Sequence, residues 1–335
     1  MTALEDLACL TCLRPVHGGG RHHPRCARRL FGSNVQPRLD LTAAQFQTLA
    51  LATIGRSSLA GVQRKISVGV LKDRSTLRIE VDGVGRFILK PASATLDQLP
   101  ENEHVSMTLA KMFGLIVPPH TLVEMGDGSL AYLVARFDRP PGGGKRRQED
   151  LCQLRLLPPS AKYEATALDC AGTIQEYSAE PAADLVTLFE TFVFTHWIGN
   201  GDHHLKNISL LAGADGRHLL SPIYDQVCTA AYPRLDTRPA LPLLDHGVTH
   251  VRPGDWTTLA EACRVRPRAL KRILSRPRAL LPAALALVSR SQLRGDIRDA
   301  YLRVLELRTS DLDASLAAAE GIGPGRAATR GAGPA

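Results

Sequence analysis

Residues 199 to 211 of the 335-residue chain read GNGDHHLKNISLL and place an acid, a lysine and an amide close together in the sequence. Asp202 could accept a proton from an attacking hydroxyl, and Asn207 could offer its amide oxygen to Mg²⁺. Lys206 lies between them and could neutralise charge that develops on a transferred group. Asp225, which follows a second apolar run, could bridge the metal to phosphate oxygens. These residue types together indicate phosphoryl transfer.

Two other interpretations of this stretch stay open. Asp202, His203 and His204 could be the ligands of a metal-dependent phosphohydrolase, although adjacent histidines point in different directions and rarely bind one ion. That interpretation also leaves Lys90 and Asp225 without a role. Alternatively, the chain could be a catalytically silent nucleotide-binding module that uses the same scaffold only for assembly.

A lysine and a glutamate upstream could act on phosphates. Phe87-Ile88-Leu89-Lys90 is typical of a short apolar strand, and it would deliver Lys90 into a cleft as a compact positive charge. Glu103 lies near the start of a predicted helix, His104 to Phe113. Its carboxylate could steady Lys90, or it could simply favour the first helical turn through the helix dipole.

The loop 57–65, SSLAGVQRK, is rich in small residues. Its backbone N–H groups could therefore approach an anion closely. It matches neither GxGxxG nor GxxxxGK[ST], so its sequence alone does not define a phosphate loop. Gly61, Gln63 and Lys65 are its nucleotide-binding candidates.

A β-rich part followed by a helical part must position these residues. Short apolar runs predict strands at 66–71, 77–81, 86–89 and 130–135. Proline and glycine at 139–144 predict a loop. Apolar residues at three- and four-residue steps predict a buried helix over 185–198 that stops at Gly199. The runs 208–211 and 219–224, around a turn at 213–216, predict a hairpin whose second strand ends beside Asp225.

The composition separates four regions: a Cys/His-rich leader (1–40), a β-rich first lobe (41–135), a helical second lobe with the candidate catalytic loop (136–320) and a tail (321–335). The tail, GIGPGRAATRGAGPA, cannot bury enough apolar surface to order itself. A β-rich lobe followed by a helical lobe is the arrangement expected when a nucleotide binds between them.

Charge and hydropathy narrow the class of protein. The formal net charge is +8, and the arginines between 264 and 290 would suit an anionic partner or an exposed helical face. The acidic start lacks the pattern of a secretory signal, and the longest apolar run, 279–288, is too short to cross a bilayer. We therefore expect a cytoplasmic protein without membrane contact.

The leader contains three of the seven cysteines. Cys9, Cys12 and Cys26, with His22 or His23 nearby, have the spacing of a Cys₃His zinc knuckle. His23 is our candidate for the fourth ligand. Because the leader is too short for a core of its own, zinc would supply folding energy. Reduced, unliganded cysteines would give the same sequence.

Taken together, several segments resemble the HipA-type serine/threonine kinases, the toxins of bacterial type II toxin–antitoxin systems. The segments are SLAGVQRK (58–65), ILKP (88–91), Asn102-Glu103, RFDR (136–139), QEDLCQ (148–153), KYE (162–164), GDHHLKNIS (201–209) and Tyr224-Asp225. The resemblance implies the fold class α+β: a two-lobed protein kinase-like fold with a β-rich N-lobe and a mainly helical C-lobe.

The resemblance also implies roles in the binding of ATP and Mg²⁺. By it Asp202 is the catalytic base, Asn207 and Asp225 are Mg²⁺ ligands, and Lys90 contacts phosphates. The hinge that holds adenine would run from Val134 to Phe137. Gln148, Asp150 and Lys162 would line the cleft.

Finally, the resemblance implies a regulatory circuit. Ser58 would be autophosphorylated, with Ser57 as an extra neighbour, and this would switch off the activity. The substrate would be an aminoacyl-tRNA synthetase, so that translation stalls. A DNA-binding antitoxin would be a partner, with DNA reached only through it. Because the small N-terminal subdomain of long family members is not recognisable here, a separately encoded subdomain protein is a further expected partner.

Overall fold

A computed structural model describes residues 7–16, 20–52, 65–70, 76–79, 85–140, 143–235, 237–245 and 250–321. The candidates Ser57, Ser58, Gly61 and Gln63, and all of the tail after Gly321, lie outside these residues. Within them, no helix is both long enough and apolar enough to span a lipid bilayer.

The strands are β1 (Leu7–Ala8), β2 (Pro15–Val16), β3 (Ile66–Val70), β4 (Leu77–Ile79), β5 (Phe87–Lys90), β6 (His120–Glu124), β7 (Leu130–Ala135), β8 (Gln148–Asp150), β9 (Ser209–Ala212) and β10 (His218–Leu220). The α-helices are α1 (Pro24–Phe31), α2 (Ala43–Ala52), α3 (Leu99–Phe113), α4 (Leu151–Leu154), α5 (Ala167–Tyr177), α6 (Pro181–Trp197), α7 (Asp255–Ala262), α8 (Pro267–Ser289) and α9 (Gly295–Ala319). Short 3₁₀ turns occupy Pro159–Ala161, Leu205–Asn207 and Thr229–Ala231.

An antiparallel sheet forms the first half, with strand order β4-β3-β5-β7-β6. The predicted strands at 66–71, 77–81, 86–89 and 130–135 correspond to four of these strands. Phe87 and Leu89 alternate into the core, while Lys90 pairs with Tyr132 at the end of β5. Helix α3 packs against β6 and β7. It begins at Leu99, before the predicted His104, because Pro100 is well suited to the first turn of a helix.

The second half is mainly helical. Helix α6 buries Leu185, Leu188, Phe189 and Phe192, as its three- and four-residue spacing predicts, and α8 packs along α9. The helix ends at Trp197. Gly199 follows with a φ of +66°, a left-handed value that glycine adopts readily. The catalytic-loop candidates follow directly.

The predicted hairpin is β9–β10, in a small sheet of order β10-β9-β8. Its second strand was expected to reach Tyr224 and ends at Leu220 instead. Pro222 lacks an N–H group and cannot continue the hydrogen-bond ladder. Asp225 therefore lies in an irregular segment after the hairpin, rather than at the end of a strand.

Candidate functional site

Lys90 lies between two carboxylates that come from different halves of the molecule. Its ammonium donates to Glu103 Oε1 at 2.6 Å and to Oδ1 of Asp225. The Lys90 and Glu103 side chains are 3% and 1% exposed, whereas that of Asp225 is 31% exposed. The end of β5, helix α3 and the segment after β10 thus meet at one buried cation.

The three charges stabilise one another against burial. Burial alone would lower the pKa of Lys90, but Asp225 and Glu103 together raise it above its ordinary value. Burial raises the pKa of Glu103 to about 7 despite the nearby lysine. Burial also opposes ionisation of Asp225, yet Lys90 and Lys65 hold the pKa of this carboxyl below its usual range. Ionisable groups whose pKa values are perturbed in this way are typical of functional sites.

The backbone at Asp225 has an unusual conformation. Its φ of +53° lies in the left-handed region, which non-glycine residues rarely adopt. Gln226, fully buried, fixes the next position: its Nε2 donates to the Tyr224 carbonyl at 2.9 Å, and its Oε1 accepts from Asn200. On the other side, both amide atoms of Asn102 bond the backbone of Cys228.

A compact set of hydrogen bonds shapes the loop that carries Asp202. Asn200 Oδ1 accepts from the Asp202 N–H at 3.0 Å, and Asn207 Nδ2 donates to the Asp202 carbonyl at 3.0 Å. The Asp202 side chain is 56% exposed, and one of its oxygens accepts from the Tyr163 hydroxyl at 2.6 Å. The loop therefore presents the Asp202 carboxylate to solvent on a fixed backbone.

Both histidines of this loop contact neighbouring side chains. His203 Nδ1 contacts Gln226 Nε2 at 3.2 Å, and its ring packs on Phe192. His204 packs edge-on against Tyr163. Burial lowers the pKa of His203 to about 3, and it also lowers the pKa of His204 although Asp202 acts in the opposite direction.

Lys206 points towards the small sheet rather than towards Asp202. Its ammonium donates to Asp150 Oδ2 at 2.6 Å. The Tyr224 hydroxyl donates to the Lys206 carbonyl, which fixes the backbone between Asp202 and Asn207. Asp150, expected in the cleft, thus contacts Lys206 directly.

The remaining nucleotide-binding candidates differ in how far the structure describes them. Val134 is buried in β7, opposite Ile88 of β5, and the Phe137 ring packs on Tyr224 with centroids 5.6 Å apart. Burial lowers the pKa of Lys65, while the charge of Asp225 opposes that shift. Lys65 is therefore close enough for its charge to interact with that of Asp225.

The donor set near Asp225 suits a hard cation. Asn207 uses its amide nitrogen for the Asp202 carbonyl, which leaves the amide oxygen for another partner. Asp225 supplies a carboxylate whose low pKa keeps it ionised. Amide and carboxylate oxygens are the protein ligands that Mg²⁺ prefers.

The leader brings together the four expected zinc ligands. The ligand atoms of Cys9, Cys12, His23 and Cys26 all lie within 4.8 Å of one another. In the part of the chain that the structure describes, this is the only group of three or more metal-ligating side chains. Asp202, His203 and His204 do not form such a group.

Three residues of the site were not predicted from the sequence as site residues: Tyr163, Asn102 and Gln226. Tyr163 and Asn102 stand in segments that carry the family resemblance, which was the available signal. Gln226 follows the Asp225 candidate directly, but nothing in its sequence context predicts that it joins Asn200 to Tyr224.

A β-rich half followed by a helical half is typical of a kinase-like fold, and comparisons with known structures agree. The chain resembles HipA of Shewanella oneidensis MR-1, solved with HipB and operator DNA: the TM-score is 0.63 at 21% identity, over 80% of this chain and 67% of that one. It also resembles the Helicobacter pylori proinflammatory kinase CtkA: the TM-score is 0.54 at 16% identity, over 70% and 91%. The predicted two-lobed kinase-like fold is confirmed.

The family follows from the sequence itself. The model of the HipA-like C-terminal domain matches residues 57–284, so the chain belongs to the HipA-like family, as the resemblance predicted. "Putative kinase Y4mE" of Sinorhizobium fredii is 36% identical over 215 residues, which cover 62% of this chain and 48% of that protein. "Putative kinase Y4dM" of the same organism is 36% identical over 190 residues, or 53% and 46%. A "Putative kinase" of Haemophilus influenzae is 29% identical over 223 residues, or 62% and 64%. The match thus spans about half the length of the Sinorhizobium relatives.

Proposed function

We propose that the chain is an ATP-dependent serine/threonine protein kinase. The observation that carries the proposal is the buried contact of Lys90 with both Glu103 and Asp225, beside the loop of Asp202 and Asn207. Phosphoryl transfer depends on positioning and charge stabilisation, and this arrangement supplies a cation, a base and two oxygen ligands. Asp202 then accepts the proton of the substrate hydroxyl, since its carboxylate is exposed on a fixed loop.

In this proposal Asn207 and Asp225 hold Mg²⁺, which when bound neutralises the charge of the phosphates. Lys90, kept oriented by Glu103, exchanges its Asp225 contact for phosphate oxygens. The backbone from Val134 to Phe137 binds adenine. Gly61, Gln63 and Lys65 would cover the phosphates; of these, Lys65 lies within range of the Asp225 charge. Lys206, paired with Asp150, supports the loop rather than the transferred group.

Family membership motivates a proposal about regulation and partners. We propose that Ser58 is autophosphorylated and that the target is an aminoacyl-tRNA synthetase, which makes the chain a toxin. The HipA of Shewanella was solved with HipB and operator DNA, which supports a DNA-binding antitoxin as a partner here as well. A separately encoded N-terminal subdomain protein remains a further proposed partner.

The test is phosphate transfer from γ-labelled ATP with Mg²⁺ by the purified chain, alone and with cell extract. Asp202→Asn should abolish labelling while leaving nucleotide binding intact, because the carboxylate acts only on the substrate hydroxyl. His204→Gln is the matched control from the same loop and should retain labelling. Mass spectrometry of the labelled chain tests Ser58 directly.

The outcomes separate the three candidate functions. A chain that binds ATP but labels nothing, even with extract, would support the silent module. Metal-dependent hydrolysis that is lost in His204→Gln and retained in Lys90→Met would support the phosphohydrolase. Among the described residues, Asp202, His203 and His204 do not form a cluster of metal-ligating atoms, which argues against the phosphohydrolase.

A further inference from the structure

Two structural units of the leader converge at the Cys/His cluster. Cys9 and Cys12 lie in the turn between β1 and β2, where the Cys9 N–H bonds the Arg14 carbonyl at 2.8 Å. His23 and Cys26 lie at the start of α1, and the Cys26 N–H bonds the His23 carbonyl at 2.9 Å. A hairpin turn and a helix start each contribute two ligands, as in structural zinc knuckles.

The spacing of the ligand atoms suits a tetrahedral ion. Zinc–sulfur bonds of about 2.3 Å place tetrahedral sulfur ligands roughly 3.8 Å apart. The four atoms here lie within 4.8 Å of one another, and Cys12 Sγ lies 3.4 Å from His23 Nδ1. Only small side-chain adjustments separate this cluster from ligand geometry.

The structure distinguishes His23 from its neighbour. His23 Nε2 donates to the Pro15 carbonyl at 2.9 Å, which fixes the ring and leaves Nδ1 facing Cys12. An outer carbonyl of this kind commonly orients a metal-binding imidazole. His22 points elsewhere, with Nε2 at 3.2 Å from the Thr121 hydroxyl.

The turn that carries the first two ligands also contacts three distant elements. The Leu10 carbonyl accepts a hydrogen bond from the Leu122 N–H of β6 at 2.9 Å. The buried side chain of Leu10 belongs to the same apolar cluster as Met107 of α3. The Thr11 carbonyl lies 3.2 Å from Nε2 of His104. His104 is the residue that follows Glu103 on α3. The Leu13 carbonyl accepts from Arg290 at the end of α8.

We propose that Cys9, Cys12, His23 and Cys26 bind one Zn²⁺ and that this ion makes the leader a brace for α3, the helix that carries Glu103. The leader knuckle, residues 7–16 and 20–31, is too small to order itself through a core. The knuckle also contacts the sheet, where Phe31 of α1 packs on Phe87 of β5. The metal would lock both units together, so that the knuckle holds β5 and α3 on either side of the Lys90–Glu103 pair.

Metal binding is tested on the full reduced chain without nucleotide. We expect about one zinc per chain by elemental analysis, and a tetrahedral thiolate spectrum after exchange to Co²⁺. His23→Gln should lose the ion or alter the Co²⁺ spectrum, whereas His22→Gln should retain both. Cys12→Ser should behave like His23→Gln, and Cys263→Ser, from the end of α7, should retain the metal. Absence of metal and of a Co²⁺ spectrum in the reduced chain, or equal behaviour of the two histidine variants, would overturn the site.

The bracing role is tested by hydrogen exchange before and after removal of the metal. Amides of α3 should exchange at least about tenfold faster in the metal-free chain, while those of α9 should change little. Unchanged α3 exchange would overturn the brace even if zinc binds. Neither readout uses ATP, so the result stands apart from the kinase proposal.

Discussion

Lys90 and Asp225 lie 135 residues apart in the chain, and the lysine ammonium donates a hydrogen bond to the aspartate carboxylate. The bond joins the end of β5 to the segment after β10. Glu103 shares the same ammonium from α3, so a loss at any of the three positions affects both halves of the molecule.

Lys90→Met should destabilise the chain markedly. Removing the cation leaves Glu103 buried without its partner, and breaking a buried ion pair costs roughly 3–5 kcal/mol. Lys271→Met is the control, since its ion pair with Glu320 is exposed and should contribute less than about 1 kcal/mol. Urea unfolding measures both, and equal losses would contradict the buried contact.

The pH dependence of stability should reveal Glu103. Its pKa of about 7 in the folded chain exceeds its ordinary value of 4.5, so the folded state binds the proton more tightly. The stabilisation is full below pH 4.5 and is lost as the pH rises to about 7. Relative to Glu103→Gln, the chain should lose on the order of 2 kcal/mol of unfolding free energy between about pH 5 and pH 8. Parallel curves for the two proteins would refute the assignment.

Tyr163→Phe should slow phosphate transfer without weakening ATP binding. The hydroxyl donates to Asp202, and a hydrogen bond to a charged group contributes about 1.5–3 kcal/mol, so kcat should fall at least about tenfold. Because the tyrosine hydroxyl bonds Asp202, which in the proposed function acts on the substrate hydroxyl, KM for ATP should stay unchanged. Tyr177→Phe, an equally exposed tyrosine on α5, should leave kcat unchanged. A rise in KM at constant kcat would assign Tyr163 to substrate binding instead.

Gly199→Ala should destabilise the loop through a steric clash. An added Cβ would lie 2.7 Å from Val304 Cγ1 and 2.9 Å from Ala230 Cβ, and φ is +66°. Overpacking and the left-handed backbone together should cost about 2–4 kcal/mol. Gly216→Ala has the same backbone strain, with φ +78°, but meets no atom within 4 Å, and should cost about 1 kcal/mol. Thermal melts of the two variants isolate the clash.

The sequence predicted most local elements that have a strong apolar pattern. The apolar residues of helix α6 recur at spacings that match its burial, and strands β3, β5 and β7 contain short apolar runs. Strand β6, His120–Glu124, was missed because its sequence, HTLVE, has only two apolar residues and two prolines precede it. Strand β8, Gln148–Asp150, is polar and only three residues long.

The sequence allowed most residues of the candidate site to be named, but it did not allow their side-chain contacts to be predicted. Residue types and family resemblance named Lys90, Glu103, Asp202, Asn207 and Asp225. The contacts depend on side-chain directions that packing of distant segments determines. Examples are the pairing of Lys206 with Asp150 and the orientation of His23, rather than His22, towards the cysteines. The left-handed backbone at Asp225 could not be predicted either, because no glycine occurs at or next to this position in the sequence.

The contact between Leu10 and Leu122 has a practical consequence. Strand β6 ends the order of its sheet, and the leader supplies a hydrogen-bond partner to its Leu122 N–H. A shortened chain that starts at residue 41 would leave the Leu122 N–H without this partner and would uncover the edge strand β6 beside its apolar side chains. Exposed edges of this kind recruit other strands and cause aggregation. Trimming the leader to aid crystallisation would therefore yield a self-associating protein, and the leader belongs in any preparation.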